Sequence, residues 1–458
     1  MSLKSINPAT EVLIQEYESH SDEQIESILN LSMETFQAHN KKGPAPESSV
    51  IQAIKKAADL LERNTQEYGQ LITAEMGKPI SQSIAEVQKC AGLCRYYAEN
   101  AASFLTPRSV PTESKKSYVR YDPLGPLLAI MPWNFPFWQV FRAAVPALCA
   151  GNPVVLKHAS NVTGSAFKVA DIFKEAGLPD GLFQVLLISG SRMAEVVAHP
   201  DIRGVTLTGS EEAGRSVASL AGQHLKKCVL ELGGSDPFIV LKDADIARAS
   251  SIAAQARCIN SGQSCIAAKR FIVEQSITEE FLDAFQKALQ NLKVGAPTDE
   301  ATDIGPLARK DLRADLHDQL QRSLQEGASL LLGGEMEDGP GFFYKTTLIR
   351  SDSIYNNALQ DETFGPLAAV IVAGNEKEAV EMANQSRFGL GGSLWTQDLE
   401  KAEALVPAIE TGSITVNDLL RSDVRMPFGG IKDSGFGREM GSEGILEFVN
   451  QKAIRING

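Results

Sequence analysis

Cys265 closes the segment Asn260-Ser261-Gly262-Gln263-Ser264-Cys265, in which a glycine lets the backbone pass close to a ligand. A thiol there becomes a covalent nucleophile if a nearby dipole or cation favours its thiolate; the plain alternative is an inert buried cysteine. Glu231 lies between Leu230 and Leu232, at the end of an apolar run and ahead of Gly233 and Gly234. A buried carboxylate has a raised pKa and suits a general base near neutral pH; the alternative is a strand-end Glu facing water. Asn134, in Pro132-Trp133-Asn134-Phe135-Pro136, can donate a side-chain N–H to a developing oxyanion or simply serve a turn. The stretch from Leu207 to Gly214 follows a predicted strand and opens a helix. It can hold a phosphate on backbone N–H groups, or Ser210 can merely cap the helix. No G-x-G-x-x-G fingerprint occurs in the chain.

These residues need a scaffold, and hydrophobic periodicity supplies one. Residues 22–40 and 47–106 have helical spacing, with the second region broken by Glu-Met-Gly-Lys-Pro at 75–79. KSYVRYD at 116–122 alternates like a strand and enters a turn at Asp122–Pro126, a candidate edge hairpin. Apolar strands then recur at 127–131, 153–157, 182–187, 204–209 and 227–234. The predicted helices between them start near 136 and cover 163–176, 191–198 and 211–222. Such alternation implies parallel βαβ units with ligands at the strand ends. The pattern restarts after 234, with strands at 238–241, 270–274, 329–334, 367–373, 391–396 and 413–417. The tail ILEFVNQKAIRING ends in an alternating segment that can pair with another strand, across a subunit interface included.

The chain has 458 residues, 43% apolar and 22% charged, and can bury a sizeable core without staples. A net charge of −13 argues against nucleic acid or anionic lipid as partner. No apolar run reaches membrane-span length, and the N-terminus lacks signal-peptide character, so a cytoplasmic location is expected. The six cysteines include no C-x-x-C pair and no histidines stand at zinc spacing, so no metal site is expected.

Seven segments in order resemble the aldehyde dehydrogenase superfamily: PWNFP (132–136), VVLKHAS (154–160), TLTGS (206–210), LELGGSDPFIV (230–240), GQSC (262–265), ETFGP (362–366) and PFGGIKDSGFGRE (427–439). The likeness spans essentially the whole chain and is greatest to short succinate-semialdehyde dehydrogenases, starting at INPAT (6–10). It implies an α/β fold with a Rossmann-like cofactor domain (1–113 and 130–233), an α/β catalytic domain (234–438) and a small β bridging or oligomerisation domain (114–129 and 439–458). It also implies a homodimer or homotetramer. By the same resemblance Cys265 is the nucleophile, Glu231 the general base, and the Asn134 side chain with the Cys265 N–H the oxyanion hole. Lys157 and Ser160 contact the adenosine ribose, and Gly209 and Ser210 the pyrophosphate. Leu232 lies beside the nicotinamide, Glu362 binds its ribose, Phe364 packs near the ring and Trp133 lines the cleft.

Many NAD-preferring relatives carry Glu where this chain has Ser160. Loss of that carboxylate, with Lys157 nearby, favours NADP, with NAD possible. Arg142, eight residues after Asn134, matches the succinate-semialdehyde dehydrogenase position that pairs with the substrate's distal carboxylate; the alternative is a structural salt bridge. Ser422 matches a second carboxylate-contacting position. The second Arg of long-form relatives is replaced by Ile259, with Arg257 shifted and Arg421 a possible substitute. Ala267 stands where some relatives carry a redox-switch cysteine, so no switch is expected. Competing expectations are another small aldehyde (glutarate semialdehyde, an aminoaldehyde or an aliphatic one), a CoA-acylating dehydrogenase, which Glu231 disfavours, and a non-enzymatic structural relative.

Overall fold

In the computed structural model, which describes residues 2–40 and 45–458, two sheets carry the chemistry. The first is six-stranded, ordered Gly435–Phe436, Lys227–Glu231, Gly204–Thr208, Leu127–Met131, Val154–His158 and Phe183–Val185. All neighbours are parallel except the first pair. Aliphatic runs such as LLAIM and GVTLT suit this place, because helices cover both faces and almost every residue is buried. From Leu127–Met131 the chain winds outward through the next two strands. It then returns to the other side of the starting strand at Gly204–Thr208. That reversal opens a crevice beyond Met131 and Thr208, the place where open α/β sheets bind ligands.

The second sheet has seven strands: Ser329–Leu332, Thr347–Arg350, Leu367–Ala373, Ala268–Glu274, Asp236–Val240, Ser393–Trp395 and Thr415–Val416. Its two central strands start at Asp236 and Ala268, just after Gly234 and Cys265, so the two sheets present their loops to a shared seam. The strand Gly435–Phe436 belongs to a segment expected in the catalytic domain, yet it adds an edge to the six-stranded sheet, pairing Gly435 with Glu231.

The helical region expected over 47–106 breaks twice. Gly77 ends Thr65–Met76 in the left-handed conformation (φ 78°), as the Gly-Lys-Pro signal implies. Asn64 adds a break between Ser48–Arg63 and Thr65–Met76, without a glycine or proline to announce it. The following helix, Ile80–Phe104, runs for 25 residues and reaches the crevice. KSYVRYD is not an edge: Lys116–Pro123 is the middle strand of a three-stranded sheet, between Arg108–Ser109 and Val449–Ile456. The C-terminal strand thus finds its partner inside the chain, Val449 opposite Pro123 and Ile456 opposite Lys116. An N-terminal hairpin, Ser2–Ile6 with Leu13–Glu18, and the strand Thr347–Arg350 carry no expectation from periodicity. Among the described residues no helix is long and apolar enough to cross a membrane.

Candidate active site

A cavity of about 180 Å³ opens at the crevice. Trp133, Asn134, Gly209, Ser210, Leu232, Cys265, Glu362 and Phe364 line it, so five segments of sequence up to 231 residues apart (Trp133 to Phe364) meet on one space. Pro132, Gln139, Thr208, Gly233 and Leu312 complete its wall.

The loop before Cys265 is strained. Asn260, Ser261 and Gly262 have φ of 53°, 56° and 76°, a left-handed run that L side chains disfavour. Buried groups hold it there. Arg257 Nη2 donates to the Gly262 carbonyl at 2.7 Å, and Gln263 Oε1 accepts from the Ala308 N–H at 2.9 Å. Gly262 has no room for a side chain, since a Cβ would lie 2.3 Å from the Gly365 carbonyl. Gly262→Ala is therefore expected to lower stability by about 2–4 kcal/mol, read as a fall in Tm, because it combines overpacking with a strained φ.

Lys269 sits behind Cys265. Its buried ammonium donates to the carbonyls of Cys265 (2.8 Å), Ser264 (3.0 Å) and Ala267 (3.3 Å), and pairs with Glu362 at 3.3 Å. Burial pushes the Cys265 thiol up to about 12, while Arg142 and Lys269 pull against it. The Cys265 N–H donates to no acceptor among the described residues.

Asn134 is positioned from both ends. Its Nδ2 donates to the Gln263 carbonyl at 3.0 Å, and its Oδ1 accepts from Gln139 Nε2 at 3.0 Å. The amide therefore faces the cysteine loop with a second N–H to spare. The N–H groups of Phe137 and Trp138 donate to Glu86 Oε1 at 2.9 and 3.0 Å, fixing the turn to the long helix. Lys78 pairs with Glu86 and lies 3.7 Å from the Phe135 ring centroid. His158, lowered to about 4 by burial, has its ring nitrogens near the carbonyls of Met131 (3.2 Å) and Pro136 (2.9 Å).

Glu231 and Arg142 do not line the cavity. Glu231 is buried and neither carboxylate oxygen has a hydrogen-bond partner among the described residues. Its carboxyl is pushed well up by burial and then by the Glu439 carboxylate, with Arg142 and Arg438 opposing. Its backbone lies at the cavity rim, since its carbonyl accepts from the Gly209 N–H at 3.0 Å and the next residue, Leu232, lines the wall. Arg142, expected to meet a substrate carboxylate, takes the structural alternative in this conformation. Its Nε pairs with Glu439, its Nη2 donates to Thr208 Oγ1 at 3.3 Å, and the guanidinium lies 4.8 Å from the Phe428 ring centroid. A buried carboxylate requires such a countercharge. Arg257 is likewise structural, holding Gly262 and Thr363, and Arg421 is exposed.

Six of the eight residues expected to meet a cofactor line the cavity. Ser210 caps Glu211–Gln223, accepting from the Ala213 N–H at 3.3 Å, as the plain reading of that segment has it. Glu362 Oε1 accepts from the Gly234 N–H at 3.0 Å, and a Cβ on Gly233 would stand 2.6 Å from Glu362 Oε2. Trp133 and Phe364 meet edge to face, centroids 5.7 Å apart. Lys157 and Ser160 lie off the neighbouring strand, outside the cavity lining; Ser160 is exposed and Lys157 has no carboxylate partner among the described residues. Helix-terminal N–H groups, a carboxylate for a sugar diol and an apolar slot fit a nicotinamide dinucleotide.

Sequence reading missed Lys269, Glu86, Gln139 and Lys89. For Lys269 a signal existed, a lysine four residues after Cys265 at the start of an apolar strand; the others look like ordinary helix residues.

The family model described as the aldehyde dehydrogenase family matches residues 1–454. The chain is 49% identical over 456 residues to a probable succinate-semialdehyde dehydrogenase [NADP(+)] of Synechocystis sp., covering 100% of both chains. It is 43% identical to a succinate semialdehyde dehydrogenase [NAD(P)+] of Escherichia coli, covering 98% of this chain and 97% of that one. A solved succinic semialdehyde dehydrogenase of Streptococcus pyogenes, in complex with NADP+, superposes with a TM-score of 0.96 at 36% identity, covering 100% of both chains.

Proposed function

The chain belongs to the aldehyde dehydrogenase family, and from that premise we propose that it oxidises succinate semialdehyde to succinate with NADP+ as the hydride acceptor. The observation that carries the chemistry is the convergence of Cys265, the Asn134 amide and the Glu362 carboxylate on one cavity at the sheet's switch point. The substrate and cofactor follow from full-length relatives whose names specify both.

The Cys265 thiolate attacks the aldehyde carbon, and the Asn134 side chain and Cys265 N–H hold the oxyanion. A nicotinamide dinucleotide held by Trp133, Leu232, Glu362 and Phe364 would supply the acceptor for the hydride that leaves that carbon. Cys265 is left carrying the acyl group as a thioester. Glu231 takes a proton from water, and the water hydrolyses the thioester and frees Cys265. For this the Glu231 side chain leaves its buried position, where a Cβ on Gly429 would stand 2.7 Å from its Oε1, and reaches the cavity rim that its own backbone forms. Gly209 and Ser210 hold the pyrophosphate, Glu362 the nicotinamide ribose, and Trp133, Leu232 and Phe364 the walls around the ring. Lys157 and Ser160 receive the adenosine ribose with its 2′-phosphate. The oligomer is a homodimer or homotetramer built through the three-stranded sheet.

The test is a set of kcat/KM values for succinate semialdehyde and butyraldehyde, each with NADP and NAD. A preference for succinate semialdehyde of at least about 100-fold is expected, since a site built for a carboxylate is left with unpaired polar groups by an apolar analogue. Equal use of the two aldehydes would remove the substrate assignment. Ser160→Glu is expected to reduce kcat/KM with NADP by about 10- to 100-fold relative to NAD, through repulsion of the 2′-phosphate. An unchanged cofactor ratio would place the selectivity elsewhere.

A further inference from the structure

We infer that Lys89, with the Ser422 hydroxyl, is the cationic group that recognises the substrate's distal carboxylate. The inference rests on the carboxylated-aldehyde reading above and assigns the charge within it.

Lys89 stands three residues after Glu86 on the helix Ile80–Phe104, so the helix that fixes the Asn134 turn also delivers this ammonium. Lys89 Nζ donates to Ser422 Oγ at 2.5 Å and lies 4.2 Å from the Trp138 ring centroid. Trp138 is itself tied to Glu86 through its N–H. Two residues beyond Ser422, Val424 packs against the same apolar cluster as Cys265, Leu312 and Phe364. The loop bearing Ser422 thus packs on the same core that receives Cys265.

The charge balance singles out Lys89. Glu86 is neutralised by Lys78, and Asp423 is held by Arg425 through contacts of 2.6 and 2.9 Å. Glu439 is taken by Arg142. Lys89 therefore makes no ion pair with any carboxylate among the described residues, although it is half-buried. An ammonium withdrawn from water without a countercharge is unfavourable, and a ligand carboxylate supplies that charge. The cost registers in its acidity: burial, then the like charge of Arg142, lowers Lys89 to about 8. Arg142 is the poorer reader, because turning it toward the substrate would leave Glu439 buried and unpaired beside Glu231.

The experiment compares wild type, Lys89→Met and Lys89→Arg in kcat/KM for succinate semialdehyde and butyraldehyde, with the Ki of succinate against butyraldehyde. In Lys89→Met the preference for the carboxylated aldehyde is expected to fall by about 10- to 100-fold, mainly through KM, with a matching rise in Ki. Lys89→Arg restores most of it. The pH profile adds a readout that a structural role would not move. The groups facing Lys89 are Arg142, Glu86, Asp423 and Cys90, whose thiol burial keeps protonated. Below about 8 the ammonium is charged and attracts the carboxylate; as pH rises through that value the wild-type preference declines, whereas Lys89→Arg stays flat. Cys265 titrates under both aldehydes and cancels in the ratio. Retention of the preference in Lys89→Met overturns the inference, as does an equal loss with both aldehydes, which marks Lys89 as structural. A wild type without any preference overturns the substrate reading instead, and the inference with it.

Discussion

Cys265→Ser is expected to reduce turnover by at least about 10⁴-fold, the scale seen when a covalent nucleophile is removed from an otherwise intact site. A serine hydroxyl is a weaker acid than the thiol, and the surroundings already oppose ionisation. Burial raises the thiol to about 12 despite the Lys269 and Arg142 charges. Those cations cannot deliver an alkoxide. The loop itself should survive, because its conformation is set by Arg257, Asn260 and Gln263 rather than by Cys265. NADPH formation followed by absorbance reads the loss. An unchanged melting temperature and undiminished NADP+ binding would separate it from misfolding. Residual turnover within tenfold of wild type would exclude a Cys265 thioester.

Glu231→Gln separates the two halves of the reaction. The amide cannot take a proton from water, so steady-state turnover is expected to fall by about 10²–10⁴-fold. The first turnover needs Cys265 and Asn134 but not this base, so a burst of NADPH should persist. A chain acylated on Cys265 should then accumulate and be visible by mass spectrometry. The wild-type pH profile carries the same information. Burial and the Glu439 carboxylate raise the Glu231 carboxyl, so its neutral, inactive form persists to higher pH than for an ordinary Glu. Deacylation should therefore rise with pH through that elevated pKa, and the limb should vanish in Glu231→Gln. Loss of the burst together with turnover would instead place Glu231 before acylation, as the base that ionises Cys265.

Much of the scaffold was legible because it depends on local pattern. Strands such as 127–131 and 204–208 and helices such as 163–175 follow from apolar runs punctuated by turn residues. The break at Gly77 was legible too, since only a glycine signal was needed. The break at Asn64 was not, because no strong breaker marks it. Thr347–Arg350 and Gly435–Phe436 escaped because strands of four and two residues carry too little periodicity, and their existence depends on distant partners. The tail segment had visible strand character, but its pairing with Lys116–Pro123 could not be read from either stretch alone.

The chemistry of the site divides in the same way. By itself the sequence determined which reactive groups exist and in what local setting: a thiol after Gly-Gln-Ser, a carboxylate closing an apolar strand, and an amide in a proline-flanked turn. Tertiary structure alone decided which of them meet. It brought Asn134 to the loop before Cys265 across the seam between the two sheets, and turned Glu231 toward Arg142 and Glu439 instead of the cavity. It also gave Arg142 a buried partner, while leaving Lys89 with a hydroxyl, an indole and no carboxylate. The physical reason is that apolar burial is encoded every two to four residues, whereas a buried charge takes its counter-ion from wherever the fold brings one.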